Sequence, residues 1–138
     1  MSLRFSFLAW LFPNRFVERN DRWHAFSLYD WSGDGYEYQK DSAGLWNDTV
    51  KHPADTVATG VGDCEDYALV AASWAASNRR EGVGLAVCGH RVGPVPVTDH
   101  MIAYDSRRVY SSGYIFDLSV DEYLKSSEYS WCWRRDLK

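Results

Sequence analysis

The chain lacks both a dense run of basic residues and a long apolar stretch. Its net charge is -4, and its arginines occur as scattered pairs such as Arg79-Arg80 and Arg107-Arg108. Surfaces that bind nucleic acid normally cluster Lys and Arg, so we expect no nucleic-acid partner. No segment approaches the roughly 20 consecutive apolar residues that cross a bilayer, so we expect no membrane span.

Cysteine is also scarce. The chain has three cysteines, Cys64, Cys88 and Cys132, an odd number at irregular spacing that does not resemble a disulfide framework. At least one thiol should therefore be free, which suits a reducing compartment or a reactive role. Residues 5–12 form an apolar run of signal-peptide size, but no small-residue cleavage site follows it. We therefore expect a cytoplasmic location, with periplasmic and secreted locations as alternatives.

The residue pattern predicts one α+β domain spanning residues 1–138. A chain of 138 residues can bury a sizeable core without a metal or a disulfide. Helical periodicity precedes segments with a period of two, which favours a helix followed by a mostly antiparallel sheet. The predicted elements are one or two helical pieces in 4–17 around Pro13, a short strand in 23–31, a helical turn from Pro53, a helix from Cys64 to about Ser77, strands at 85–88 and 100–104, one or two strands in 108–116, a helix from Ser119 to about Ser126, and a final strand around 129–133.

The helix that begins at Cys64 organises the rest of the chain. A glycine-rich turn at Gly60–Gly62 leads into it, and Asp63 and Asp66 form an acidic variant of the capping box. A thiol on the first helical turn lies at the positive end of the helix dipole, which favours the nucleophilic thiolate. Asp63, Glu65 and Asp66 oppose a second negative charge there. A nucleophilic Cys64 therefore needs an imidazolium from elsewhere in the chain.

His100 and Asp117 are the candidate partners of Cys64. His100 is expected to start a strand at a sheet edge, and Asp117 follows the next strand region. If residues 100–104 and 108–117 are antiparallel neighbours, His100 and Asp117 lie near the same end of the sheet. A carboxylate there would hold the imidazole in one tautomer. The three residues would then supply a thiol, a base and an orienting group.

The segment P-x-x-T-x-x-x-G-x-G-D-C-E-D-Y-A at residues 53–68 resembles the nucleophile segment of transglutaminase-like cysteine peptidases, particularly their bacterial branch. His100–Tyr104 is similar to the family's His-initiated strand, and Phe116–Leu118 is similar to its strand-end Asp. The resemblance covers roughly residues 46–124, with Val57 where the family usually has Leu. It implies a papain-like core in which the helix bearing the nucleophile packs on an antiparallel sheet bearing the His and the Asp.

The resemblance also implies a thiol hydrolase with a catalytic triad. Cys64 would attack a peptide or amide carbonyl, His100 would accept and return the proton, and Asp117 would orient His100. Water would resolve the thioacyl-enzyme, and transfer to an amine differs only in this resolving nucleophile, so it stays open as an alternative. The implied partner is a peptide or protein substrate, and no metal or other cofactor is required.

A binding or structural module that kept the fold without turnover is a further alternative. An oxyanion site normally combines the backbone N–H of the cysteine with an upstream side chain. Gln39, Trp46 and Asn47 are candidates for that side chain, but none of them follows from spacing. The missing donor is the feature that favours the module.

A zinc site is the third alternative. Cys88-Gly89-His90, together with Cys64 and His100, offers sulfur and nitrogen ligands of the zinc type. The spacing between Cys88 and His90 is tighter than in usual zinc motifs, and the chain has no paired C-x-x-C. Cys132, between two tryptophans, is expected to be a packing residue.

Overall fold

The computed structural model describes residues 12–39 and 52–137, and their architecture is α+β. The helices are α1 (Pro13–Phe16), α2 (Leu28–Asp30), α3 (Pro53–Thr59), α4 (Cys64–Ser77) and α5 (Val120–Ser126), with a 3-10 turn at Asp21–His24 and a π-helical turn at Trp31–Gly35. The strands are β1 (Glu37–Tyr38), β2 (Val61–Gly62), β3 (Gly84–Val92), β4 (Val95–Tyr104), β5 (Val109–Ser111), β6 (Tyr114–Phe116) and β7 (Trp131–Asp136). The part of the predicted N-terminal helix that precedes residue 12 lies outside the described residues.

Five strands form one antiparallel sheet in the order β6-β5-β4-β3-β7. β3 and β4 are a long hairpin in which Gly84 lies opposite Tyr104. β7 pairs with the other side of β3, which confirms the strand predicted from the alternating tail. A separate parallel bridge joins β1 to β2 and brings the chain before residue 40 beside the turn that precedes Cys64.

The helix α4 is the central element, packed between the sheet and the segment that precedes β1. Ala68, Ala71 and Ala75 are fully buried, as expected for the small-residue stripe, and α4 contacts β4 and β5. On its other side, the Trp74 indole N–H donates to the Phe26 carbonyl at 3.1 Å. The observed bounds of α4 match the predicted ones.

The sheet separates two cores, because side chains alternate along each strand. On β4, Met101 and Ala103 join the core under α4, whereas Ile102 and Tyr104 join the cluster under α5. We call these two sides the α4 face and the α5 face of the sheet. The α5 face is closed by a helix that begins with the predicted capping box at Ser119.

One prediction about the N-terminal half is wrong. Residues 23–31 form helical turns rather than a strand, because Ser27 caps α2 by accepting the Asp30 N–H at 3.3 Å, and the aromatic side chains face the core beneath α4. Pro13 begins α1, in agreement with two helical pieces that join there, and the piece before it lies outside the described residues. A proline is tolerated at the first helical position because the N–H there has no intrahelical acceptor.

Candidate active site

Cys64 is the first residue of α4, and a reciprocal capping box fixes the turn before it. The Asp66 N–H donates to Asp63 Oδ1 at 3.1 Å, and the Asp63 N–H donates to Asp66 Oδ2 at 3.1 Å. Gly62 allows this arrangement, because a Cβ at that position would lie 2.6 Å from the Cβ of Asp66. The glycine and aspartates of the motif therefore have a local structural role in placing the cysteine.

The Cys64 thiol is buried and protonated at neutral pH in this conformation. Its exposure is 6%, and burial, followed by the negative charge of Asp63, raises the pKa of the thiol to about 12. The nearby backbone N–H groups of Met101 and Glu65 lower that pKa, but they do not offset the two larger effects. The helix N-terminus alone does not make Cys64 a thiolate here.

His100 lies on the α5 face, within β4 rather than at its start. Its cross-strand partner is Cys88, whose side chain belongs to the cluster under α5. The imidazole stacks on Tyr129, with ring centroids 5.6 Å apart and planes 9° apart, and its Nε2 lies 2.6 Å from Ser111 Oγ. Ser111 Oγ is 3.4 Å from the Tyr123 hydroxyl. We call Ser111, Tyr123 and Tyr129 the His100 seat.

The Cys64 side chain lies in the core on the α4 face of the sheet, together with Met101. The side chain of the preceding residue, His100, lies on the α5 face. The Met101 N–H that lowers the pKa of the Cys64 thiol belongs to the peptide bond joining His100 to Met101. The pairing of β3 with β4 shifts at this point, since Thr98 lies opposite Gly89 and His100 lies opposite the next β3 residue back. Position 99 is therefore the extra residue of a β-bulge beside the candidate site.

Asp117 is not brought to His100. The chain between them reverses in a tight hairpin at Ser112 and Gly113, whose φ angles of 43° and 92° fit a two-residue loop of type I′. This reversal carries Asp117 back to Arg108, whose Nε donates to Asp117 Oδ1 at 3.1 Å. The Asp117 side chain is 87% exposed. The predicted contact between His100 and Asp117 is absent, because the β5–β6 hairpin reverses the chain at Ser112 and Gly113 and carries Asp117 away from His100.

Cys88 and Cys132 form a disulfide between β3 and β7, where they are register partners. The prediction of no disulfide framework is therefore wrong for this pair, and Cys132 is more than a packing residue. The prediction of a free thiol is confirmed by Cys64. Irregular spacing gave no sign of the pairing, because the two residues meet only through the order of strands in the sheet.

The disulfide also removes the Cys88 sulfur from the zinc alternative. Within residues 12–39 and 52–137, no three His, Cys, Asp or Glu side chains are grouped so that they could hold a metal ion.

Sequence reasoning identified neither Ser111 nor Tyr129 as partners of His100. Both belong to the α5 side of the sheet, and only the strand register reveals this. Among the oxyanion candidates, Gln39 lies close to the turn that precedes Cys64, since its N–H donates to the Gly62 carbonyl at 2.9 Å. Trp46 and Asn47 lie outside the described residues.

No protein-family model matches the chain, and no curated protein or solved structure does either. Among the helices of the described residues, none is both long enough and apolar enough to cross a membrane. The likeness to transglutaminase-like peptidases therefore depends on the motif residues themselves.

Proposed function

We propose that this chain is a cysteine-nucleophile acyl-transfer domain with a transglutaminase-like, papain-type core, and that it hydrolyses a peptide or amide bond. One observation carries the proposal. Cys64 begins α4, and its sulfur lies against the peptide bond between His100 and Met101. A thiol at a helix start beside a histidine-bearing strand is the arrangement from which a cysteine nucleophile is built.

In the proposed reaction the Cys64 proton passes to His100, and the sulfur attacks the carbonyl carbon. The C–N bond then breaks, the amine leaves with the proton from His100, and the acyl group stays on sulfur. Water attacks this thioacyl-enzyme and releases a carboxylic acid and the free thiol. An amine in place of water would give transfer instead of hydrolysis. The Cys64 N–H and the side chain of Gln39 are the proposed oxyanion donors.

The described conformation is a resting state in this proposal. The raised pKa keeps the thiol protonated at neutral pH, and the imidazole lies on the α5 face. Turnover therefore requires His100 to reach the α4 face. Asp117 receives no catalytic role in the proposal, because it is exposed and paired with Arg108.

A non-catalytic binding or structural module is the second candidate. The observation that favours it is that the imidazole of His100 and the carboxylate of Asp117 each have partners other than the ones a triad needs. In such a module Cys64 would be a small buried residue that lets α4 pack on β4.

The cytoplasmic location favoured by the sequence stays a prediction. The disulfide favours the periplasmic or secreted alternative, because disulfides persist mainly in oxidising compartments.

The pH dependence of Cys64 alkylation by iodoacetamide tests the function. Cys64 is the free cysteine of the oxidised protein, so the modification reports on it directly. We compare the unmodified sequence with His100→Ala, and with His90→Ala as a control at an exposed histidine of the same sheet. We expect reaction well below the ordinary thiol pKa of about 8.5, lost in His100→Ala and kept in His90→Ala.

The opposite result would be equally clear. A thiol that reacts only as its pKa of about 12 allows, with the same profile in all three proteins, would contradict the enzyme proposal and leave the non-catalytic module.

A further inference from the structure

We propose that β4 has two registers at its bulge, and that the His100 seat stabilises the register in which the imidazole is turned away from Cys64. The consequence for Cys64 rests on the proposed function. The existence of the second register does not, and it can be measured separately. Three features of the described residues carry the inference: the position of the bulge, the sparse pairing of β4 with β5, and the contacts of the seat.

The bulge lies immediately before His100. Thr98 and His100 oppose Gly89 and Cys88, so residue 99 has no cross-strand partner. Strand side chains alternate with a period of two, and a shift of one residue turns a side chain to the other face. If the extra residue moves from position 99 to position 100, His100 turns to the α4 face while Thr98 and Met101 keep their partners.

The strand β4 is held more strongly on one side than on the other at this point. It pairs with β3 along most of its length, from Val95 to Tyr104. Its pairing with β5 covers only Ala103 and Tyr104. A change of register at His100 therefore leaves the ladder with β5 intact and disturbs only the ladder with β3 at the bulge.

The His100 seat provides specific contacts for the observed register. Ser111 is buried and lies 2.6 Å from the imidazole Nε2, and Tyr129 stacks on the ring. Tyr123 reaches Ser111 from α5, so the seat is anchored to the helix that covers this face. These contacts would all be lost in the other register.

In that other register the imidazole would lie beside Cys64. Cys64 and Met101 share one buried cluster, and the residue before Met101 is His100. A histidine turned to the α4 face at this position would have the thiol as its neighbour. The bulge would thus connect the two halves of the proposed site, which the observed register keeps apart.

The experiment combines NMR with alkylation in Ser111→Ala and Tyr129→Leu, each of which weakens the seat. Asp117→Asn is the matched control, because Asp117 is exposed and contacts Arg108 instead of the seat. In the unmodified sequence we expect nuclear Overhauser contacts between the His100 and Tyr129 rings. In Ser111→Ala and Tyr129→Leu we expect exchange broadening or a second set of amide signals at residues 98–101, with Asp117→Asn unchanged.

Alkylation of Cys64 at pH 7 gives the second measurement. Loss of one hydrogen bond of ordinary net strength should raise the rate in Ser111→Ala by about three- to tenfold. Adding His100→Ala to Ser111→Ala should lower the rate to that of His100→Ala alone, since the reaction depends on the imidazole.

The outcomes separate the inference from the function. Unchanged amide signals at 98–101 in both seat variants would overturn the two-register strand, and so would an effect of the same size in Asp117→Asn. A faster alkylation that survives His100→Ala would also overturn it, because general loosening would then explain the rate. Exchange at 98–101 with an inert Cys64 would support the two registers and contradict the acyl-transfer function.

Discussion

The two faces of the sheet differ in how they are covered and in what they hold. The α4 face is closed by a helix of 14 residues, nearly all of them buried, and it holds the free thiol. The α5 face is closed by a helix of 7 residues, and it holds a disulfide and a hydrogen-bonded histidine. The larger core thus holds Cys64, while the smaller cluster holds His100. The proposed chemistry needs a group from each face.

The largest expected effect comes from matched truncations on the two faces. Leu85 on the α4 face and Ile102 on the α5 face are both fully buried. We expect Leu85→Ala to lower the free energy of unfolding by about 3–5 kcal/mol, because the long helix above it cannot settle into the cavity. Ile102→Ala should cost about 2–3 kcal/mol, since the short α5 can move inward. Urea unfolding at pH 7 measures both, and equal costs would show that the faces are equally rigid.

The disulfide tests whether the α5 face depends on a covalent link. Cys88 and Cys132 are 44 residues apart in sequence, and closing such a loop stabilises a fold by about 2–4 kcal/mol. We expect the double variant Cys88→Ala/Cys132→Ala to lose that amount in urea unfolding. A dithiol reductant should destabilise the unmodified sequence similarly and leave the double variant unaffected. If the reductant has no effect on either protein, the two strands are held without the bond.

Local signals predicted much of the fold. The bounds of α4, both capping boxes and the final strand follow from neighbouring residues, such as Asp63 with Asp66 and Ser119 with Glu122, and the structure confirms them. The strand predicted over 23–31 was wrong because strand propensity is weak beside the packing of aromatic side chains under α4.

The candidate site was predicted less well, because it depends on register. Alternation places His100 on the same face as Ile102 and Tyr104, and the structure buries those two under α5. Which helix covers them is decided by strand order and by the bulge, and neither is visible in residue spacing. The sequence could identify Cys64 by its helix start, but it could not show which way His100 points.

The smallest expected effect is the loss of one buried tyrosine hydroxyl from each of the two cores, Tyr67 in the core under α4 and Tyr123 in the cluster under α5. Tyr67, in the core under α4, lies 2.7 Å from Ser32 Oγ, whereas Tyr123 reaches Ser111 at 3.4 Å. Tyr67→Phe should cost about 1–2 kcal/mol at pH 7, and Tyr123→Phe about 0.5–1 kcal/mol, because the longer bond contributes less. Urea unfolding of each variant beside the unmodified sequence measures the difference.

The same two tyrosines predict how the free energy of unfolding depends on pH. Burial raises the pKa of Tyr67 to about 12, and it raises the pKa of Tyr123 as well. Above pH 10 the unfolded chain ionises its tyrosines while folded Tyr67 stays protonated, so its contribution to stability is complete below pH 10 and is lost as the pH rises towards 12. The difference in free energy of unfolding between the unmodified sequence and Tyr67→Phe should therefore narrow between pH 10 and pH 12, and the difference for Tyr123→Phe should narrow less. If both differences in free energy of unfolding stay constant over this pH range, the fold does not suppress the ionisation of either hydroxyl. The difference between the two cores would then not extend to their tyrosines.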